Sequence, residues 1–365
     1  MFTILCLISV LPQQTTEVTD RFNRAVELQR QGALKDAAAE YRAVLAIAPN
    51  YAEAQANLGA VLARLGNYPE AIAAYESAMR IKPELTAILL NLGVAHFQAG
   101  QFALAVETLE RFLAKAPDHL QARQLIGVSL IELGRDKDAV PFLEPLLISG
   151  QIELTALYSL GLAYLRLHRA EYVQEVIDRL DTRADGFALA RLLEGQSRLD
   201  GLDFSEAATQ LEAAAKLAPE LPRLYFLLGV AYFKLGRSEE ARKNLESELK
   251  RSAQDFLTLY YLASVLEKQG DLGAARNHIE AALQQDSKSV EALTLAGSIM
   301  LKQGQATEAA GLLERAVARQ PENSEIRFIL GRCYQKLGRK EDAAREFAAV
   351  ERIKSRDREK ERKAQ

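Results

Sequence analysis

A 34-residue interval constrains this chain more tightly than anything else in it. A ruler of that length laid from Val18 gives ten units ending at Asp357, with no insertion. Position 8 is Gly in eight units: Gly59, Gly93, Gly127, Gly161, Gly195, Gly229, Gly297 and Gly331; Ala25 and Ala263 fill the other two. Position 20 is Ala in nine units, from Ala37 to Ala343, with Val173 as the exception. Position 15 is Gly in eight, and position 32 is Pro at Pro49, Pro83, Pro117, Pro219 and Pro321. A phase held over ten cycles is the mark of a tandem repeat.

Each landmark has a physical use. Small residues at positions 8 and 20 let two helices of one unit approach closely, since a larger side chain would hold their backbones apart. Gly at position 15 suits the left-handed residue that ends a first helix, and Pro at position 32 stops the second. The stretch Ala52–Leu85 carries Gly59, Gly66, Ala71, Tyr75, Ala78 and Pro83 at positions 8, 15, 20, 24, 27 and 32. In length and landmarks it resembles the tetratricopeptide repeat, a helical-hairpin family. The resemblance covers almost the whole chain. It implies an all-α fold, a right-handed α-solenoid of about ten tandem 34-residue helix-turn-helix repeats. One hairpin cannot bury its own apolar faces, so stacked neighbours share a core and leave a concave groove. On this frame residues 1–17 are an apolar leader, 18–153 repeats one to four, 154–357 repeats five to ten, and 358–365 a charged tail.

Length alone, 365 residues, fits two or three ordinary domains, but the unbroken repeat reads as one elongated solenoid. A hydrophobic content of 48% is ample for its core, and a net charge of −3 argues against a general nucleic-acid or anionic-membrane binder. Cys333 reads as a packed thiol, and with Cys6 as the only other cysteine there is no disulfide framework. The apolar run Phe2–Leu11 is too short to span a bilayer as a helix. It resembles the apolar core of a secretory signal peptide, although no Lys or Arg precedes it. The expectation is an exported protein, periplasmic or secreted, which a cleaved N-terminus near Gln13–Thr16 would favour. The alternative is a cytoplasmic protein whose apolar tail packs on the first repeat.

Repeats four and five are irregular. Pro145, with Pro141 before it, predicts a kink or a break in the second helix of repeat four, which Gly150 ends. Repeat five has His168 and Val173 at the Gly and Ala positions and Asp185-Gly186 near the expected Pro, so the solenoid is expected to bend or hinge there. In repeat six the turn glycine reads as shifted to Gly201. Ser205-Glu206 and Ser238-Glu239-Glu240 read as cap residues followed by early acids. The tail from Glu351 reads as a solvated extension of the last helix or as a docking tail for an acidic partner. With no separate capping helix after repeat ten, Phe347 and Val350 are expected to need cover from a partner or a second copy, a route to a homo-oligomer.

No catalytic constellation emerges. The four histidines fall at different repeat positions, no pair has the spacing of a helical metal site, and no phosphate-cradling loop or nucleophile elbow is present. No enzyme activity, cofactor or metal is expected. The groove is the candidate site. In the family resembled, first-helix positions 2, 5, 6, 9, 12 and 13 face it. Asn23, Asn57 and Asn91 repeat at position 6, and an amide offers a peptide group both a donor and an acceptor. Arg64, with Arg30, is the nearby basic groove residue. Phe22, Ala56 and Ala87 stand where a carboxylate clamp would need Lys or Arg, so that mode is disfavoured. Further along come Tyr158, Phe226, Phe233, Tyr260 and Tyr261, with Phe328; aromatic anchors commonly carry binding energy. Leu192 and Val230 are assigned to the core; Phe226, Phe233, Tyr260 and Tyr261 are expected to be exposed. The expected function is a non-catalytic scaffold that binds a peptide segment or a partner protein, with no nucleic acid and no integral membrane segment. Two alternatives stand beside it: an assembly factor of the cell envelope acting through its ends and convex face, and a regulatory subunit of an enzyme on another chain.

Overall fold

The repeat interval returns as the spacing of helix starts. The computed structural model describes residues 11–364, and among them it holds twenty helices and no strand. The first helices are α1 (Leu11–Arg30), α3 (Ala52–Arg64), α5 (Thr86–Gln98), α7 (Leu120–Glu132), α9 (Leu154–Arg166), α11 (Phe187–Asp200), α13 (Leu224–Lys234), α15 (Phe256–Gln269), α17 (Val290–Lys302) and α19 (Ser324–Lys336). The second helices are α2 (Leu34–Ile47), α4 (Tyr68–Ile81), α6 (Phe102–Leu113), α8 (Asp136–Ile148), α10 (Ala170–Asp181), α12 (Phe204–Leu217), α14 (Ser238–Leu249), α16 (Leu272–Gln285), α18 (Ala306–Arg319) and α20 (Lys340–Ala364). Every second helix opens at position 17 of its repeat, 34 residues after the last. The leader residues 1–10, Cys6 among them, lie outside the described residues.

The chain divides into two compact units, one ending at Gly186 and the other beginning at Phe187. Within each, every hairpin packs on the next. The junction of repeats four and five lies inside the first unit, where α9 packs on both α7 and α8.

Small residues at position 8 do what the close approach requires. A Cβ added at Gly93 would stand 2.5 Å from Leu109, at Gly127 2.4 Å from Leu143, and at Gly229 2.5 Å from Leu245. The partner is in each case the side chain at position 24 of the same repeat, so the glycine is the socket for a large residue on the second helix.

Position 15 is left-handed in all ten repeats: eight glycines have φ between 70° and 85°, His168 has 55° and Leu202 has 62°. The expected shift to Gly201 is therefore corrected, because the turn stays in phase and Leu202 takes it. A left-handed Gly150 follows α8, as expected.

The break expected in α8 does not occur; the helix runs unbroken from Asp136 to Ile148 with both prolines inside. Pro141 and Pro145 are exposed, so the carbonyls they leave without a donor face water, while buried Val140, Leu143, Leu146 and Leu147 hold the other face down.

The cap assignments change too. Asp203 caps α12, its Oδ1 accepting from the Glu206 N–H at 3.2 Å, and Ser205 lies inside the first turn. Ser238 is the first residue of α14, and the residue before it, Arg237, makes no side-chain cap.

At the far end α20 continues for 25 residues, against 12 to 14 in the other second helices. Val350 and Ile353 are 3% and 2% exposed, so of the two residues expected to need a partner Val350 is covered by the chain itself, whereas Phe347 is half-buried. Arg356, farther along, makes an ion pair with Glu322. Cys333 is fully buried, and burial pushes its thiol up to about 11.

Candidate functional site

Within a unit the first helices lie side by side, and their residues at a common repeat position form columns. The asparagine column lies in the first unit. Asn23 on α1 and Asn91 on α5 are exposed, whereas Asn57 on α3 is half-buried and its amide hydrogen-bonds the Tyr41 hydroxyl, lowering that group's pKa against the larger rise caused by burial. That hydroxyl donates to Gln29 Oε1 at 2.8 Å. One of the three amides is thus engaged in joining α1, α2 and α3. Arg64, the last residue of α3, is exposed; Tyr158 on α9 is half-buried.

The aromatic residues of the second unit form one cluster. Tyr261 stands edge-on to Phe226 and Phe233, both at 5.8 Å between ring centroids, and to Tyr260 at 5.5 Å. Tyr260 stacks on Phe256 at 6.5 Å. Phe233, Tyr260 and Tyr261 are half-buried, but Phe226 is only 7% exposed, which corrects its expected exposure. Tyr261 covers one edge of that ring, and the Arg223 guanidinium lies over it 4.6 Å from the centroid. Arg223 itself is left-handed, at φ 60°. Leu192 is core as expected, Val230 is half-buried, and Phe328 is exposed beside Phe347 at 5.9 Å.

Next to the aromatic cluster, α15, α17 and α19 enclose a cleft of about 260 Å3. Its walls include Tyr260, Glu291, Thr294, Leu295, Glu325 and Ile329. Burial, Tyr261 and, farther down, the carboxylates of Glu291 and Glu325 raise the Tyr260 hydroxyl above its usual pKa.

Two column patterns escaped the sequence reading. Lys234, Lys268, Lys302 and Lys336 stand at position 13 of four successive repeats. Lys268 Nζ sits 4.0 Å over the Phe233 ring, Lys302 pairs with Glu267 at 3.0 Å, and Lys336 donates to the Leu301 carbonyl at 3.3 Å. Cations at the ends of these helices complement the helix dipole, so the column has a structural use. The second pattern joins repeats. Tyr164, Tyr232 and Tyr334 each donate to a glutamate 20 residues earlier, on the preceding second helix: Glu144 at 3.2 Å, Glu212, and Glu314 at 2.7 Å. A Tyr following a Glu at that one interval was the available signal.

The histidines do not converge. His96 Nδ1 is 2.7 Å from Gln101 Oε1, His119 Nδ1 caps α7 by accepting from the Ala122 N–H at 3.3 Å, and His168 occupies a left-handed turn. Among the described residues no group of three or more His, Cys, Asp or Glu side chains is placed to hold a metal ion.

Sequence profiles of the tetratricopeptide repeat match residues 22–85, 192–256, 233–290 and 260–311 in one version, 96–160 and 300–359 in a second, and 58–126 in a third. The chain belongs to the tetratricopeptide repeat family. Among curated proteins none matches it significantly in sequence. Among solved structures, a chain of the APC/C hetero-tetramer Cut9–Hcn1 is similar at 14% identity and a TM-score of 0.58, with 93% of this chain and 81% of that one covered. MamA 41-end from Desulfovibrio magneticus RS-1 is similar at 22% identity and a TM-score of 0.44, over 46% of this chain and 95% of that one. The first likeness shows the fold, an all-α repeat solenoid, and the second carries no argument. Tetratricopeptide repeat proteins are typically non-catalytic, and family and fold together support a protein–protein interaction scaffold. No helix among the described residues of this tetratricopeptide repeat chain is long and apolar enough to cross a membrane.

Proposed function

We propose that this tetratricopeptide repeat chain is a non-catalytic scaffold that holds a segment of a partner protein against the first-helix face of its second unit. The observation that carries this reading is the half-exposed aromatic cluster of Phe233, Tyr260 and Tyr261 beside the cleft between α15, α17 and α19. Rigid aromatic side chains lose little freedom when a partner covers them, and a surface set by packed helices is already in its binding geometry. The test is affinity capture from the source cell with the wild-type chain and with Phe233→Ala and Tyr260→Ala, followed by amide hydrogen exchange on the captured complex. Partners held by the wild type and lost from both variants at unchanged helical circular dichroism support the reading, as does protection on α13, α15, α17 and α19. Protection on the second helices instead would overturn it in favour of the convex-face alternative. Export is proposed from residues 2–11 alone, and N-terminal sequencing of the natural protein tests it.

A further inference from the structure

We infer that the cleft between α15, α17 and α19 receives a lysine or arginine side chain from an extended segment of a partner protein. This assignment depends on the groove reading proposed above and adds the partner's chemistry to it. No Lys or Arg lines the cleft, whereas three carboxylates do: Glu267, Glu291 and Glu325. Glu267 is neutralised within the chain, since Lys302 Nζ lies 3.0 Å away and the Ser298 hydroxyl donates to it at 2.7 Å. Glu291 and Glu325 are exposed on neighbouring helices, and neither has a cationic partner among the described residues; Glu291 only accepts from the Ser289 hydroxyl at 3.1 Å.

Both line the same cleft, together with Tyr260. Both carboxylates act on the Tyr260 hydroxyl, whose ring forms the aromatic wall. A cation entering there gains two uncompensated negative charges and an aromatic ring, while its aliphatic stem lies along Leu295 and Ile329. Uncharged segments gain only the apolar part, and an acidic one is repelled.

The plainer explanation is that acids in the first turn complement the helix dipole. It accounts for each carboxylate alone and not for their pairing. The same repeat position holds Thr19, Ala87, Leu189 and Leu257 elsewhere, and at Glu53 the acid is taken up by Lys82. Ser289 and Asn323 already cap α17 and α19. At Glu291 and Glu325, by contrast, adjacent repeats both place a carboxylate on this cleft and leave it without a counter-charge among the described residues. The opposite ends of these helices carry Lys268, Lys302 and Lys336, so the face is polar in one direction and fixes where along a segment the cation must lie.

The test uses short end-blocked peptide libraries, randomised around a fixed central Lys, Arg, norleucine or Glu, and fluorescence anisotropy with the full chain. The Lys and Arg libraries are expected to bind about tenfold more tightly than the norleucine library, whose residue is Lys without its charge. The double variant Glu291→Gln/Glu325→Gln is expected to erase that preference with norleucine binding unchanged, and Glu325→Lys to reverse it. Circular dichroism confirms that the variants stay folded. Equal binding of the Lys and norleucine libraries, or a preference that survives in the double variant, overturns the inference and leaves the groove reading standing. Failure of every library to bind overturns both.

Discussion

Single residues decide whether a repeat closes well. Leu202 holds a left-handed turn that eight other repeats give to glycine, and it is 73% exposed, so it gains nothing from burial. A side chain in that region costs about 1–2 kcal/mol. Leu202→Gly, and separately His168→Gly, is therefore expected to raise stability by about 1 kcal/mol, read as a higher denaturant midpoint at unchanged slope. At Gly93 the sign reverses. Alanine would gain about 1 kcal/mol in helix propensity, but its Cβ would stand 2.5 Å from Leu109. Overpacking of that kind costs roughly 1–3 kcal/mol, so Gly93→Ala is expected to lower the midpoint. Ala25 and Ala263 hold this position in the first and eighth repeats and are fully buried, so an alanine is tolerated there where the surrounding side chains make room.

Between elements, the tyrosine–glutamate pairs are the most regular polar link from one repeat to the next. Burial first, then the bonds to Glu212 and Glu314, push the Tyr232 and Tyr334 hydroxyls up to about 12. The unfolded value is about 10, so the folded chain holds these protons more tightly. The resulting stability is complete below pH 10 and is lost as pH rises towards 12. A thermal midpoint that falls steeply across that window, and less steeply in Tyr232→Phe/Tyr334→Phe, is the expected outcome. Helix starts were legible because a ten-fold phase leaves little freedom; the same phase, taken literally, also names the cap of α12, since the residue before position 17 in repeat six is Asp203. Ser205-Glu206 misled because a Ser ahead of an acid looks like a cap wherever it falls. Asp203→Ala is expected to cost about 1 kcal/mol and Ser205→Ala nothing measurable, by the same denaturant assay. The prolines of α8 misled for a different reason. Sequence shows that a proline is inside a helix but not which face it takes, and here both face water.

For the whole chain, the division at Gly186 and Phe187 predicts that a fragment starting at Phe187 keeps its helical signal and unfolds cooperatively by itself; a fragment without a cooperative transition would refute two self-supporting units. The repeat count was readable from small residues alone, whereas the candidate site was readable only in outline. Aromatic positions on α13 and α15 were legible as a cluster on one face, but the burial of Phe226 depends on where Arg223 and Tyr261 lie, and the pairing of Glu291 with Glu325 exists only once neighbouring helices are laid side by side. The far end of the chain has a consequence for assembly. Val350 and Ile353 are already dry within one molecule, so a second molecule stacked end-on there gains nothing from those two side chains. End-on growth through the last helix would have to draw on the rings still open to solvent beside it, Phe328 and Phe347.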